Sequence, residues 1–398
     1  MAPFPSVRPL SPFQIPAEDP AEQPRFVLRD PAELAEDQLL VSLPALYLVE
    51  LCDGTRSREE VVAEFERLTG SEVPPVLLDQ LLQRLDQSYL LDNERSRARL
   101  DAIRPRPYRL SGSAYPAEMS RLLPYLDDLI GLDDPEVSAK RLRASVLPHI
   151  DYQRGRNSYR AGYRLLRQGL GPTDAPITVV VLGISHAISR APFILTKKDF
   201  ATPLGDVRTD TDLVDRLAQD LPFDPYQDEF NHLTEHSIEF HAVLLRHLAK
   251  DRPLSIVPVL CGSFHEALLG NYSPKRIPGV SEFLRNLQEI KQDRPDVHFL
   301  ASVDLAHMGL NFDQPALDET QLRDIGQKDR ETLSFLQTGD SDGFFSTLQA
   351  DRGMRNYCGT PAIYSLLELF PEPFELTSYQ QCSESDLTST VTVCSAVL

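Results

Sequence analysis

The sequence has no tryptophan, and only five cysteines and nine histidines among its 398 residues. The cysteine count is odd and no CxxC pair occurs. That excludes a complete disulfide framework and fits a reducing compartment. Basic residues are also scarce: 40 Lys and Arg stand against 59 Asp and Glu, a formal net charge of −19. A chain so acidic is a poor match for a nucleic-acid backbone or an anionic membrane surface. Long apolar runs are missing. Even a clean run such as Ile177–Ile184 is far short of a bilayer span. The opening MAPFPSVRPLSPF lacks a basic stretch followed by an apolar core, so no signal peptide is read and the cytoplasm is the expected location. No GxGxxG, GxSxG or Walker pattern is present, which argues against nucleotide-loop and α/β-hydrolase chemistry.

What is present divides the chain. Residues 1–24 carry seven prolines and read as an extended, poorly ordered arm. Residues 25–92 read as a small winged-helix-like module. RFVLRD is a short strand, and SREEVVAEFERLTG opens on a capping box, Ser57 with Glu60, and closes on Gly70. Val61, Val62, Phe65 and Leu68 share one face of that helix, and PPVLLDQLLQRLDQ follows as a second. Residues 93–106 are basic, with little apolar pattern, and read as a linker. From 107 to 398, β-like runs (SVLPHI, ITVVVLGI, LSIVPVLCG, VHFLASVD, TSTVTVCSAV) alternate with helical stretches such as VSEFLRNLQEIKQ and GTPAIYSLLELF. The alternation predicts an α/β fold, layered around a mainly buried sheet.

Three histidines share one context in this larger part. His149, His186 and His307 each follow a predicted strand, with Asp304 three residues before the last. Strand exits on one sheet edge are where α/β proteins hold ligands. Neutral imidazoles with an anionic group make an open metal site. In EHSIEFH, a helix would put His236 and Glu239 on one face with His232 a turn earlier; Glu235 and His236 are otherwise groups at a helix start that are solvated or support a ligand from behind. The spacing is not that of the HExxH zinc proteases. Cys358, just before a predicted helix, is expected to have a lowered pKa, as a metal ligand or a nucleophile, or else to be a small buried hydrophobe. Cys52, Cys261, Cys382 and Cys394 read as small buried hydrophobes.

Taken in order, LPHIDYQRG, VVVLGISHAI, EHSIEFH, IVPVLCG, ASVDLAHMG and YCGTPAIYSLLEL resemble the blocks of the Memo family, whose bacterial members are called AmmeMemoRadiSam system protein B. Ser111–Ala117, SGSAYPA, resembles the family's opening SGSWYPA, and the resemblance covers about 290 residues. It implies the α/β fold of class III extradiol dioxygenases, with two histidines and a cysteine in place of their two histidines and a glutamate. Carried over, the implied metal ligands are His149 of PHIDY, His186 of LGISH and Cys358 of CGTP. Asp304 and His307 match the family's SSD-x-x-H block, and His236 and Glu239 its EHS-x-E. Two departures stand out. Ile150-Asp151 replaces Ala-Gly, and the arginine-rich QRGRNSYRAGY replaces small residues, leaving Arg154 and Arg156 either to bind an anionic group or to lie on solvated surface.

The resemblance implies an iron or copper redox protein in which His307 acts as acid or base, oriented by Asp304, with His236 beside it. It also implies partnership with a radical S-adenosylmethionine protein and an AMMECR-type protein. LYLVELCDGTRSREEVVAEF resembles PqqD-like domains, which implies a peptide ligand or a docking role for the N-terminal module. The alternatives are a non-catalytic adaptor that binds a peptide or phosphorylated ligand, and a metal-free cysteine–histidine nucleophile.

Overall fold

A computed structural model describes residues 6–16, 23–35, 37–135, 141–170, 174–384 and 388–398. The chain forms two compact units. One comprises Met1–Arg104 with Phe230–Thr234, the other Pro105–Glu229 with Glu235–Leu398.

In the first unit, β1 (Ser6–Val7) pairs with β5 (Leu91–Asp92). β2 (Ser11–Ile15), β3 (Arg25–Arg29) and β4 (Leu39–Ser42) form an antiparallel sheet. Helices α1 (Leu43–Leu51), α2 (Arg58–Thr69) and α3 (Pro75–Gln87) complete it. The Ser57–Glu60 capping box starts α2, and Gly70, at φ 68°, ends it. Val61 and Phe65 turn inward beside Leu48, Leu78 and Leu85. Two expectations fail here. Within the proline-rich segment, residues 6–7 and 11–15 are paired strands; residues 1–5 and 17–22 lie outside the described residues. The order comes from Arg8, whose buried guanidinium donates twice to Asp30, at 3.0 and 2.6 Å, and once to the Tyr89 carbonyl. The expected linker is mostly α4 (Glu94–Ala102), capped by Asn93 through Ser96. Its single buried apolar residue, Leu100, was too little pattern to signal a helix.

The second unit is built on a mixed sheet in the order β12-β14-β6-β11-β7-β10-β8, with β13 on β14 and β9 on β10. Its strands are β6 (Ala144–Leu147), β7 (Ile177–Ile184), β8 (Phe193–Leu195), β9 (Arg208–Thr209), β10 (Leu254–Cys261), β11 (His298–Ser302), β12 (His307–Gly309), β13 (Glu375–Ser383) and β14 (Ser389–Val397). β6, β11, β7 and β10 run parallel, so their carboxyl ends share one edge. β7 is buried at every residue, as a β-branched strand between two parallel neighbours should be. Pro258 interrupts β10 where neither β9 nor β8 pairs with it.

Helices cover both faces. Val180 and Leu182 pack with α10 (Val280–Asp293) and α13 (Thr360–Leu369). Val179 and Val181 pack on the other side with α5 (Met119–Leu129), α6 (Arg156–Gly169) and α8 (Glu239–Ala249). The remaining helices are α7 (Thr211–Leu217), α9 (His265–Gly270), α11 (Glu319–Leu336) and α12 (Ser341–Ala350). The result is the layered α/β arrangement the alternation predicts. No helix among the described residues is long and apolar enough to cross a membrane.

Candidate functional site

The parallel strands deliver the site. Two residues beyond β6 lies His149, two beyond β7 lies His186, and two beyond β11 lies Asp304. Cys358 arrives on the loop before α13. Its amide donates to the Leu305 carbonyl, and the Gly359 amide donates to the Asp304 carbonyl. A Cβ at Gly359 would come within 2.7 Å of that carbonyl, so only glycine lets the cysteine loop lie this close. The ligand atoms of His149, His186 and Cys358 all fall within 4.8 Å of one another. His149 Nε2 is 3.5 Å from Cys358 Sγ.

Each imidazole is fixed from behind. His149 is 1% exposed and donates Nδ1–H to the Ser302 carbonyl at 2.9 Å. His186 directs Nδ1 to Glu235 at 3.0 Å. In both rings this turns Nε2 toward the site, an orientation typical of metal-binding histidines. Burial, then the neighbouring His186 and His236, hold the His149 pKa well below its ordinary value, so this ring is neutral. Burial disfavours charge on His186, but hydrogen bonding and the charge of Glu235 outweigh it and raise its pKa.

Glu235 is the residue the sequence pattern undervalued. Its carboxylate accepts from the amides of His186, His236 and Ser237, and from Nδ1 of both imidazoles. Burial works against its charge, yet these donors bring its pKa well below the ordinary value. The His186 and His236 rings stack with centroids 4.7 Å apart. His186, Glu235 and His236 form a second close donor group. Its carboxylate is already occupied by five donors, which fits orientation of the histidines better than ligation. Residues 234–238 are not helical, because α8 starts only at Glu239. Gly183 makes the loop's position possible: a Cβ there would come within 2.7 Å of Ser237 Oγ, which bonds both the amide and the carbonyl of Ile184.

Other expectations change. Glu239 does not reach this group: it takes Arg106, Tyr115 and the amides of Arg109 and Leu110. His232 is buried in the first unit. Asp304 does not hold His307. Its Oδ1 accepts from the amides of His149 and Ile150, while His307 directs Nδ1 to the Leu305 carbonyl. The Cys358 thiol is not acidified. Burial pushes its pKa well above the ordinary value, and Sγ donates to the Asp304 carbonyl at 3.3 Å.

A cavity of about 510 Å³ opens over the site, with His149, His186, His236, Asp304 and His307 in its lining and Phe240, Phe312 and Val391 as apolar wall. Arg154 lines it too, but donates to Asp151 at 2.5 Å and approaches Glu384 at 3.4 Å. Arg156 pairs with Asp128 instead. Cys382, expected only as a buried hydrophobe, reaches the cavity wall. A second cavity of about 230 Å³ also reaches His186 and is the one that Cys358 lines.

The site residues fall within a segment that matches a protein-family model. Residues 106–397 match the one described as Memo-like protein. A MEMO1 family protein of Aquifex aeolicus is 27% identical over 352 residues, 87% of each chain. One from Thermus thermophilus is 26% identical over 80% of this chain and 91% of its own. One from Schizosaccharomyces pombe is 27% identical over 64% of this chain and 91% of its own. An alignment over 87% of this chain extends beyond the family segment, into residues before 106. With nearly three quarters of its length matched to one family, the chain belongs to the Memo-like proteins.

Proposed function

We propose that this chain is a metal-dependent redox protein in which ferrous iron or cuprous copper is held by His149, His186 and Cys358 and acts on a small organic molecule admitted by the larger cavity. The observation that carries this reading is the convergence of the three donors within 4.8 Å, with Nδ1 of each imidazole already tied to an acceptor. The donor set fits such an ion, since a thiolate with imidazoles suits soft and borderline metals. When bound, the ion would supply Lewis acidity and one-electron chemistry.

The protein's own residues do the rest. His149 stays neutral through burial. Glu235 keeps the Nδ1 proton on His186. Cys358 must release its proton for metal to enter, so binding weakens as pH falls. His307 is kept largely neutral by burial and lines the cavity as an acid or base. His236, whose Nδ1 faces Glu235, presents its other nitrogen for the same task. A phosphorylated ligand is disfavoured, because Arg154, the one cation lining the cavity among the described residues, is already paired. The reading includes a radical S-adenosylmethionine protein and an AMMECR-type protein as partners, to be sought by co-purification with the tagged chain.

The test is metal content after anaerobic purification and reconstitution, beside His149→Ala, His186→Ala and Cys358→Ser. About one ion per chain, lost in the histidine variants and held at least tenfold more weakly in Cys358→Ser, is expected. Absence of metal from every reconstituted sample would leave a binding protein on a dioxygenase-like fold.

A further inference from the structure

Asp329 is buried on α11 and does not line the cavity over the site, yet its two carboxylate oxygens face two different supports of His307. Oδ1 accepts from Arg355 Nη1 at 2.7 Å. Oδ2 accepts from Thr392 Oγ1 at 2.5 Å and from the Tyr379 hydroxyl at 3.0 Å. Arg355 is 4% exposed, and its guanidinium also donates to Asp351 and to Thr332 Oγ1. A buried ion pair is weak evidence for stability, because desolvation offsets much of the attraction. What this pair holds in place is the better guide to its role.

Both arms end on one short segment. On one side, Thr392 Oγ1 accepts from the Ala306 amide at 3.0 Å. The Thr392 carbonyl accepts from the Leu305 amide, and the Thr392 amide donates to the Ala306 carbonyl. On the other side, the Arg355 carbonyl accepts from the His307 amide at 2.8 Å. That carbonyl shares a planar peptide with the Asn356 amide, which donates to the Gly353 carbonyl at 2.9 Å, so its direction is set. The three consecutive amides of Leu305, Ala306 and His307 are therefore each bonded, and the segment is held peptide by peptide rather than through one link. The His307 ring is tied to the same segment, because Nδ1 donates to the Leu305 carbonyl at 3.1 Å.

We propose that Asp329 is a positioning residue for His307, acting through Thr392 on one side and Arg355 on the other. All of these groups lie within the second unit. The role of His307 as acid or base rests on the reading above; its placement by Asp329 does not.

The test uses the full chain without metal, carrying Asp329→Asn. An amide offers one oxygen, so it can hold one arm and not both. Hydrogen–deuterium exchange at Ala306 and His307, whose amides Asp329 does not touch, should speed up roughly tenfold. The amides of His186, His236 and Ser237, held by Glu235, should be unchanged. Nitrogen NMR with labelled histidine, assigned against His307→Gln, reads the ring itself. At neutral pH the wild-type His307 proton should sit on Nδ1. In Asp329→Asn the two ring nitrogens should become more alike, as the tautomers mix. Thr392→Val should have the same effect on the ring and on the His307 amide, and Thr392→Ser should restore both.

The proposal is overturned if folded Asp329→Asn leaves the ring signals and both amides as they are, if the amides held by Glu235 accelerate equally, or if Thr392→Ser behaves like Thr392→Val. Should Asp329→Asn not fold, the two Thr392 variants decide by the same ring signals. A wild-type chain that takes up no metal on reconstitution would count against the metal reading, while the ring and amide results would still decide the role of Asp329.

Discussion

Asp304 and Glu235 are both buried carboxylates beside the same histidines, and they respond to burial in opposite ways. Burial raises the Asp304 pKa, and its two amide donors do not offset it. Glu235 is also buried, yet its pKa is lowered, because two imidazoles join its amides. One carboxylate fixes the backbone that carries a histidine; the other fixes the rings themselves. Burial alone therefore does not set the charge of this site. The number and kind of donors do.

The largest expected effect tests that difference directly. Glu235→Gln turns an NH2 group toward donors, whereas Asp304→Asn keeps an acceptor for both amides. Cobalt(II) affinity should fall by up to about 100-fold in the first and by less than about 10-fold in the second. A reversed order would mean that Asp304, not Glu235, controls the histidines.

The next effect is on acid stability, read as melting temperature against pH in metal-free protein. Glu235 has a lowered pKa, so its stabilisation is present above the ordinary 4.5 and lost as pH falls through the folded value. Asp304 has a raised pKa, so the folded chain holds its proton longer and loses stability as pH rises from the ordinary 3.8. Relative to wild type, Glu235→Gln should become worse with rising pH and Asp304→Asn better. Parallel slopes would remove the contrast.

The smallest effect concerns the mouth of the cavity. Arg154 is partly exposed and already paired with Asp151 and Glu384. Arg154→Gln should change unfolding free energy by no more than about 0.5 kcal/mol and leave metal affinity unchanged. A large loss of affinity would show that this cation, and not only the two buried carboxylates, governs the site.

The main strands were legible because their patterns are local: β7 reads as a nearly continuous apolar run and β14 as a run of β-branched and small residues. His149, His186 and Cys358 were legible through strand exits and motif order. Glu235 was legible only as one alternative, a supporting group or a solvated one, since its place is a loop that Gly183 admits beside β7, and EHSIEFH looks helical when read alone. The order of residues 6–15 was hidden because Arg8 finds Asp30 and Tyr89 only after folding. The Cys358 thiol misled because burial was invisible and helix position was not.

β14 lies between β12 and β6 and grips the site loop. The Leu305 amide donates to the Thr392 carbonyl, the Ala306 amide to Thr392 Oγ1, and the Thr392 amide returns to the Ala306 carbonyl. Ala306 and Thr392 are 86 residues apart along the chain. During synthesis, the loop bearing Asp304 and His307 must therefore wait for a strand made much later. Contacts of such long range also form slowly. The histidines and Asp304 are made well before the clasp that sets this loop, so the candidate site takes its final shape late in the life of the nascent chain.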